Sequence, residues 1–308
     1  MTAEAAHDDP LVSVVIPCYR QAHFLPDSIG SVLAQTYRHF EIVVVDDGSP
    51  DDTRGVVARY PQVRYVWQRN RGLSAARNTG LSHSSGAYVA FLDADDRLTS
   101  VALASGSREL SAHPECAFVV GELCVIDEQG AIVCTRPPES VSSDHYLELL
   151  KNCFIWCPAS VLYRRSVFQA VGGFDTSLNP VSDYDMYLRI ARAFPIRTYD
   201  EMVAEYRYHD SGMSRNPARM LKFTMKVLLA ERRRVKGTPA RDAACLTGIN
   251  FCQAFYGTPL IREISDHLKL RHWKEVIPQV LVALQYHPHA FVKHAYRRMY
   301  RTIVEALT

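Results

Sequence analysis

The chain has 308 residues, enough for one large domain or a core domain with an appendage. Its hydrophobic fraction of 47% suits a packed core, and no stretch reaches the roughly 18 uninterrupted apolar residues that a membrane-spanning helix needs. Net charge is only +2 but unevenly spread: Arg215 to Thr308 holds 17 Lys+Arg against 6 Asp+Glu, Met1 to Ser214 holds 18 against 27, and a basic tail therefore follows an acidic body.

Residues 1–10 are polar and acidic and read as a disordered N-terminus without the basic start and apolar run of a signal peptide. The eight Cys form no Cys-x-x-Cys pair, which argues against a zinc ribbon and for reduced thiols in a cytoplasmic protein. Leu11–Ile16 is a β-branched run that predicts a buried strand. Residues 24–37 carry Leu25, Ile29, Val32 and Leu33 at helical spacing, with Asp27 and Ser28 near the start. Strands follow at 40–45, 63–67 and 88–92, with helices at 53–59 and 73–82. These apolar strands are near-continuous, so both faces are covered and the sheet is expected to be mostly parallel, with helices on either side. Beyond residue 100, short apolar runs at 117–120, 123–126 and 131–133 read as strands, the last two joined by a turn at Asp127–Gly130. Helices are expected at 144–151 and 183–194, a strand and short helix within 156–168, and a strand at 202–208. From Pro217 the pattern is helical, broken at Gly237–Pro239, Gly257–Pro259 and Pro288.

In such sheets ligands sit at the carboxyl ends of the strands. The polar clusters fall there: Pro17–Tyr19, Asp46–Asp47 and Asp93–Asp96. Carboxylates as close as Asp93 and Asp95 repel, and a divalent cation relieves the repulsion while leaving sites for phosphate oxygens. The alternative is a polar loop whose acids cap the next helix. Asp46–Asp47 can accept hydrogen bonds from a base or ribose, or can simply turn the chain at Gly48. Asp183 opens a helix, where it either complements the dipole or acts as a general base. His209, ending the strand at 202–208, is a metal ligand or a surface histidine.

Seven motifs together resemble the family-2 glycosyltransferases. They are VSVVIPCY at 12–19, SVLAQT at 31–36, EIVVVDDGS at 41–49, RGLSAARN at 71–78, FLDADD at 91–96, GGFD at 172–175 and DYD at 183–185. The resemblance covers about Val12 to Arg215. It implies an α/β GT-A fold over residues 11–215, followed by a helical basic region over 216–308. It implies an inverting transfer from a nucleoside-diphosphate sugar, most commonly of uridine, to an acceptor hydroxyl, in cell-surface polysaccharide or glycolipid synthesis. By that resemblance Pro17 and Tyr19 line the nucleobase pocket, Asp47 bonds the base, Arg77 helps hold the donor, and Asp93 meets the ribose or diphosphate. Asp95 ligates Mn²⁺ or Mg²⁺ with His209 as second ligand, and Asp183 is the base. The carboxylate usual just before that base is Ser182 here. Alternatives are a sugar nucleotidyltransferase, which normally has a Gly-rich loop absent after the first strand, or a non-catalytic nucleotide-sugar-binding regulator.

The tail interleaves Arg232–Lys236 and Arg297–Arg301 with apolar and aromatic residues. It reads as a helical appendage with a solvated basic face or as a peripheral contact with an anionic membrane, which suits a glycan or lipid-linked acceptor. No nucleic-acid motif is present.

Overall fold

The computed structural model describes residues 9–136 and 144–293. The residues expected to be disordered lie, up to Asp8, outside the described residues, as does Arg297–Arg301. Two compact units divide the chain, Met1–Leu149 with Cys153–Asp210 and Leu150–Asn152 with Ser211–Thr308.

The first unit runs β1 (Val12–Cys18), α1 (Leu25–Leu33), β2 (Phe40–Asp46), α2 (Thr53–Val57), β3 (Val63–Trp67), α3 (Leu73–Ser82), β4 (Tyr88–Phe91), β5 (Arg97–Leu98) and α4 (Ala102–Ala112). It continues with β6 (Phe118–Ile126), β7 (Ile132–Arg136), α5 (His145–Lys151), β8 (Val161–Arg164), α6 (Ser166–Val171), α7 (Ser182–Ala191) and β9 (Arg197–Arg207). The described strands form one sheet in the order β3-β2-β1-β4-β8-β6-β9-β5, with β7 paired to β6. From β3 to β4 every pairing is parallel. Beyond β4 the sheet is mixed: β8 is antiparallel to β4 and β6, β9 is parallel to β6, and β5 is antiparallel to β9.

The parallel half follows from its sequence. Val12, Val14 and Ile16 of β1 share a core with Leu25, Ile29 and Val32 of α1 and Leu103 and Leu110 of α4. On the other face α3 approaches so closely at Gly80 that a Cβ there would stand 2.2 Å from Val15 Cγ1. Burial on both faces is what the near-continuous apolar runs encode. Two expectations change in the mixed half. The runs at 117–120 and 123–126 belong to a single strand, β6, whose register with β9 shifts around Glu122. Gly121 allows it: a Cβ there would meet Val203 Cγ2 at 2.6 Å, so only glycine lets β9 lie this close. The strand expected at 202–208 begins earlier, at Arg197: Arg197 and Thr198 pair with Val119 and Val120 of β6, and Tyr199 is buried in the core.

The second unit holds α8 (Pro217–Arg234), α9 (Pro239–Cys252), α10 (Thr258–Lys269) and α11 (Trp273–Tyr286). The break at Gly237–Pro239 occurs, with Gly237 at φ 96°. That at Gly257–Pro259 does not: a π-helical stretch, Gln253–Gly257, carries α9 into α10, with Pro259 in the first turn of α10. The chain turns instead at Leu270–His272, with Arg271 at φ 58°. No described helix is long and apolar enough to cross a membrane.

Candidate functional site

Strand β4 delivers the chain to residues 93–96, which turn back through a hydrogen bond from the Asp96 amide to the Asp93 carbonyl (3.0 Å). The three carboxylates of this turn point to three different environments. Asp93 receives the guanidinium of Arg77, whose Nη2 donates to both oxygens at 2.8 and 3.1 Å. Asp95 Oδ2 accepts from Gln21 Nε2 (2.6 Å) and lies 2.9 Å from His209 Nε2. Asp96 is buried and accepts from the Arg207 amide (2.8 Å) and from the Cys157 thiol (3.1 Å). The expectation that Asp96 caps the next helix is thus corrected. β5 follows it directly, α4 begins only at Ala102, and its carboxylate ties the turn to β9 and to the segment before β8.

Burial sets the electrostatics of the inner cluster. Arg77 is 1% exposed. Burial opposes its charge, but Asp93 and then Asp183 raise its pKa. Its Nε and Nη1 have no hydrogen-bond partner among the described residues, and its guanidinium carbon lies 5.5 Å from the Phe174 ring centroid. Asp183, in the first turn of α7, has its pKa raised by burial, against which Arg77 acts as the largest lowering influence. Its Oδ1 accepts from the next amide, Tyr184 N (2.8 Å). Ser182, where the family pattern has a carboxylate, is buried and shares a hydrogen bond with Ser74 of α3 (2.8 Å). Arg77, Asp93 and Asp183 therefore form one charge cluster.

The outer cluster rests on a residue that spacing alone did not single out. Arg207 is buried, and its guanidinium donates to the carbonyls of Asp95 (2.8 Å) and Glu128 (2.8 Å) and to the Asp27 carboxylate (2.9 Å). It also lies 5.0 Å from the Phe24 ring centroid, and that ring meets His209 at 5.1 Å. One arginine thus links the 93–96 turn, the β6–β7 turn and α1, two residues before His209. The hydrogen bond to Asp95 raises the His209 pKa, with burial opposing. No group of three His, Cys, Asp or Glu converges among the described residues.

At the β1–β2 end, Pro17 is buried opposite Val45, while Tyr19 is exposed, with Arg20 lying 5.4 Å over its ring. Asp47 is engaged with its own loop: it accepts from Gln68 Nε2 (2.6 Å), Arg71 N (2.9 Å) and Gly72 N (2.8 Å). It shapes the segment that leads into α3 and Arg77.

A family profile described as glycosyl transferase family 2 matches residues 13–172. An Escherichia coli protein, the UDP-Glc:alpha-D-GlcNAc-diphosphoundecaprenol beta-1,3-glucosyltransferase WfgD, is 33% identical over 233 residues, covering 72% of this chain and 86% of that protein. Some relatives are longer, and the chain spans only 35% of an uncharacterized glycosyltransferase of Rickettsia felis. Among solved structures, residues 1–349 of S. aureus TarS align with a TM-score of 0.62 at 18% identity over 79% of this chain and 72% of that fragment. A Pyrobaculum calidifontis mannosyltransferase, PcManGT, solved with GDP-Man and Mn²⁺, aligns with a TM-score of 0.58 at 19% identity over 91% and 88%. These structural likenesses are of fold, and the fold is GT-A.

Proposed function

The chain belongs to glycosyl transferase family 2, and on that premise we propose that it moves a sugar, with inversion, from a nucleoside-diphosphate sugar to an acceptor hydroxyl. The donor is a uridine diphosphate sugar and the acceptor a lipid-linked or free glycan, a reading supported by the activity for which the E. coli relative is named. The observation that carries the reading is the approach of Asp95 Oδ2 and His209 Nε2 to 2.9 Å, 114 residues apart in sequence, on the sheet edge that also bears Asp93.

A divalent cation fits this pair. Asp95 and His209 would hold it, the carboxylate oxygen suiting either Mn²⁺ or Mg²⁺ and the imidazole nitrogen favouring Mn²⁺ of the two. When bound, the ion supplies positive charge where the leaving diphosphate gains negative charge.

The remaining steps fall to side chains. Pro17 and Tyr19 flank the nucleobase, and Asp47 orders the adjoining segment from Gln68 to Gly72. Arg77 holds Asp93 toward the ribose or diphosphate and acts on the donor through that carboxylate, being itself too buried to reach it. Asp183, made more basic by burial, takes the acceptor proton as the hydroxyl oxygen attacks the anomeric carbon and the bond to the diphosphate breaks. No covalent intermediate forms.

The test is product analysis. Purified chain with Mn²⁺ and a panel of nucleotide sugars is expected to release nucleoside diphosphate, faster with acceptor, and to do so only with the ion. Pyrophosphate release from a nucleoside triphosphate and a sugar phosphate would instead identify a nucleotidyltransferase.

A further inference from the structure

Helix α11 is apolar on both sides. Val276, Ala283 and Tyr286 are buried. Trp273, Ile277, Leu281 and Leu284 are 57%, 60%, 63% and 45% exposed. Steps of four, four and three residues place these side chains on one stripe. A surface helix ordinarily presents charge there, and a contiguous exposed apolar stripe marks a contact surface. Leu270, in the turn before α11, extends the stripe and is 63% exposed.

Charge identifies the partner. Lys269, Arg271 and Lys274 are exposed and bracket Trp273. The acids nearby are turned to other uses: Asp266 pairs with Lys269 at 2.8 Å, and Glu275 projects roughly 150° round the helix from the stripe. From Val276 to Val304 the sequence contains no Asp or Glu, while Lys293, Arg297, Arg298 and Arg301 fall within it. Elsewhere in the same unit, α8 repeats the sign. Arg219, Lys222, Lys226 and Arg233 occupy one exposed stripe, and the sole acid of that helix, Glu231, is buried.

We propose that the α11 stripe docks on an anionic lipid bilayer. Trp273, Ile277, Leu281 and Leu284 enter the boundary between headgroups and acyl chains, and Arg271 and Lys274 meet the lipid phosphates. An amphipathic helix lying in the interface has this composition: aromatic and aliphatic on one face, cationic at its rim. Nucleic acid would satisfy the cations but not the aliphatic stripe. A second copy would satisfy the stripe, yet a two-fold pairing sets a cationic rim against itself. The inference goes beyond sugar transfer and rests on the second unit alone.

The experiment is vesicle co-sedimentation of the full chain, with phosphatidylcholine vesicles and with phosphatidylcholine–phosphatidylglycerol vesicles. Binding to the anionic vesicles only, weakened by salt, is expected. The pair Ile277→Glu and Leu281→Glu should cut that binding by more than about tenfold, because each places a carboxylate in the stripe at the membrane. Both residues are exposed, so the thermal midpoint and the vesicle-free release of nucleoside diphosphate should match the unsubstituted chain. Unchanged binding by the doubly substituted chain overturns the proposal. So does a full chain that binds neither vesicle, or a dimer in solution that the same substitutions dissociate. Loss of donor turnover in every sample, with vesicle binding still following the stripe, would remove the transferase reading and leave the docking surface standing.

Discussion

At the ends of β2 and β3 the polar side chains are held by neighbours in sequence. Asp46 accepts from Ser49 N and Tyr65 Oη, and Asp47 accepts from Gln68, Arg71 and Gly72, none more than 25 residues away. At the ends of β4 and β9 the partners come from far along the chain. Asp95 meets Gln21 across 74 residues and His209 across 114, and Asp96 meets Cys157 across 61 and Arg207 across 111. The parallel half builds its loops as each strand ends. The mixed half contributes to the site only once β8, β6 and β9 have closed beside β4. Chemistry should therefore depend on the long-range contacts, and donor grip and loop order on the local ones.

The largest effect expected is at Asp183, on the helix between β8 and β9. Asp183→Asn should lower kcat by about 10²–10⁴-fold, the range for removing a general base. The fold should not suffer. Burial raises the Asp183 pKa, so above that pKa its ionised form is a net cost to folding. A neutral amide at pH 7 is thus expected to leave the thermal midpoint unchanged or higher. Full activity in the Asn variant would remove the base from this half of the site.

Next in size is Arg207→Lys. A lysine cannot reach Asp95 O, Glu128 O and Asp27 together, so the 93–96 turn and the β9 end lose their common strut. Mn²⁺ affinity of the protein without substrate, followed by calorimetry or by the paramagnetic signal of the free ion, should fall by about 10–100-fold, as when the groups supporting metal ligands are removed. Unaltered Mn²⁺ affinity would place the ion elsewhere than at Asp95 and His209.

The same contrast decides what could be read in the sequence. Asp47, Asp93 and Asp95 are legible because each follows an apolar run that encodes a strand, and strand ends are where ligands gather. Asp183 is legible as an acid at a helix start. Arg207 and Gln21 are not, since nothing local distinguishes a buried strut from a surface polar residue. The signal for Arg207 was its place in the run Tyr206–His209, which resembles the family's pattern around His209, and Gln21 stands two residues from Tyr19. Asp96 shows the converse. A carboxylate shortly before a helical stretch reads as a cap until β5 and β9 are seen to pair there. Ser182, a departure from the family pattern, acquires a reason only in three dimensions, where it meets Ser74 in a buried site that could not hold a second carboxylate without cost.

A smaller effect is expected from Asp47→Asn, which sharpens the local side of the comparison. An amide keeps one acceptor oxygen where the carboxylate served Gln68, Arg71 and Gly72 with two. At least one of those donors loses its partner, at about 1–3 kcal/mol. The thermal midpoint should fall and the donor KM rise, with kcat close to that of the unsubstituted chain. A fall in kcat larger than the rise in KM would bring Asp47 into the chemistry and erase the distinction between the two halves.

The smallest effect is a displacement along the pH axis, and it probes a place where a local pair controls a distant group. Arg77 and Asp93 lie 16 residues apart, yet the Arg77 charge also reaches Asp183. Burial raises the Asp183 pKa and Arg77 lowers it. The base must be ionised to accept a proton, so kcat/KM falls as the pH drops through that pKa, on a limb above the ordinary carboxylate range. Removing the guanidinium in Arg77→Gln removes the lowering influence, and the limb should move to still higher pH. Arg77→Lys keeps the positive charge and should leave it nearer its original position. Profiles are to be measured at saturating Mn²⁺, so that protonation of the metal ligands does not enter. A limb that stays in place in Arg77→Gln, with the protein folded, would mean that the acid limb reports a group other than Asp183. The coupling between the inner cluster and the base would then be structural rather than electrostatic.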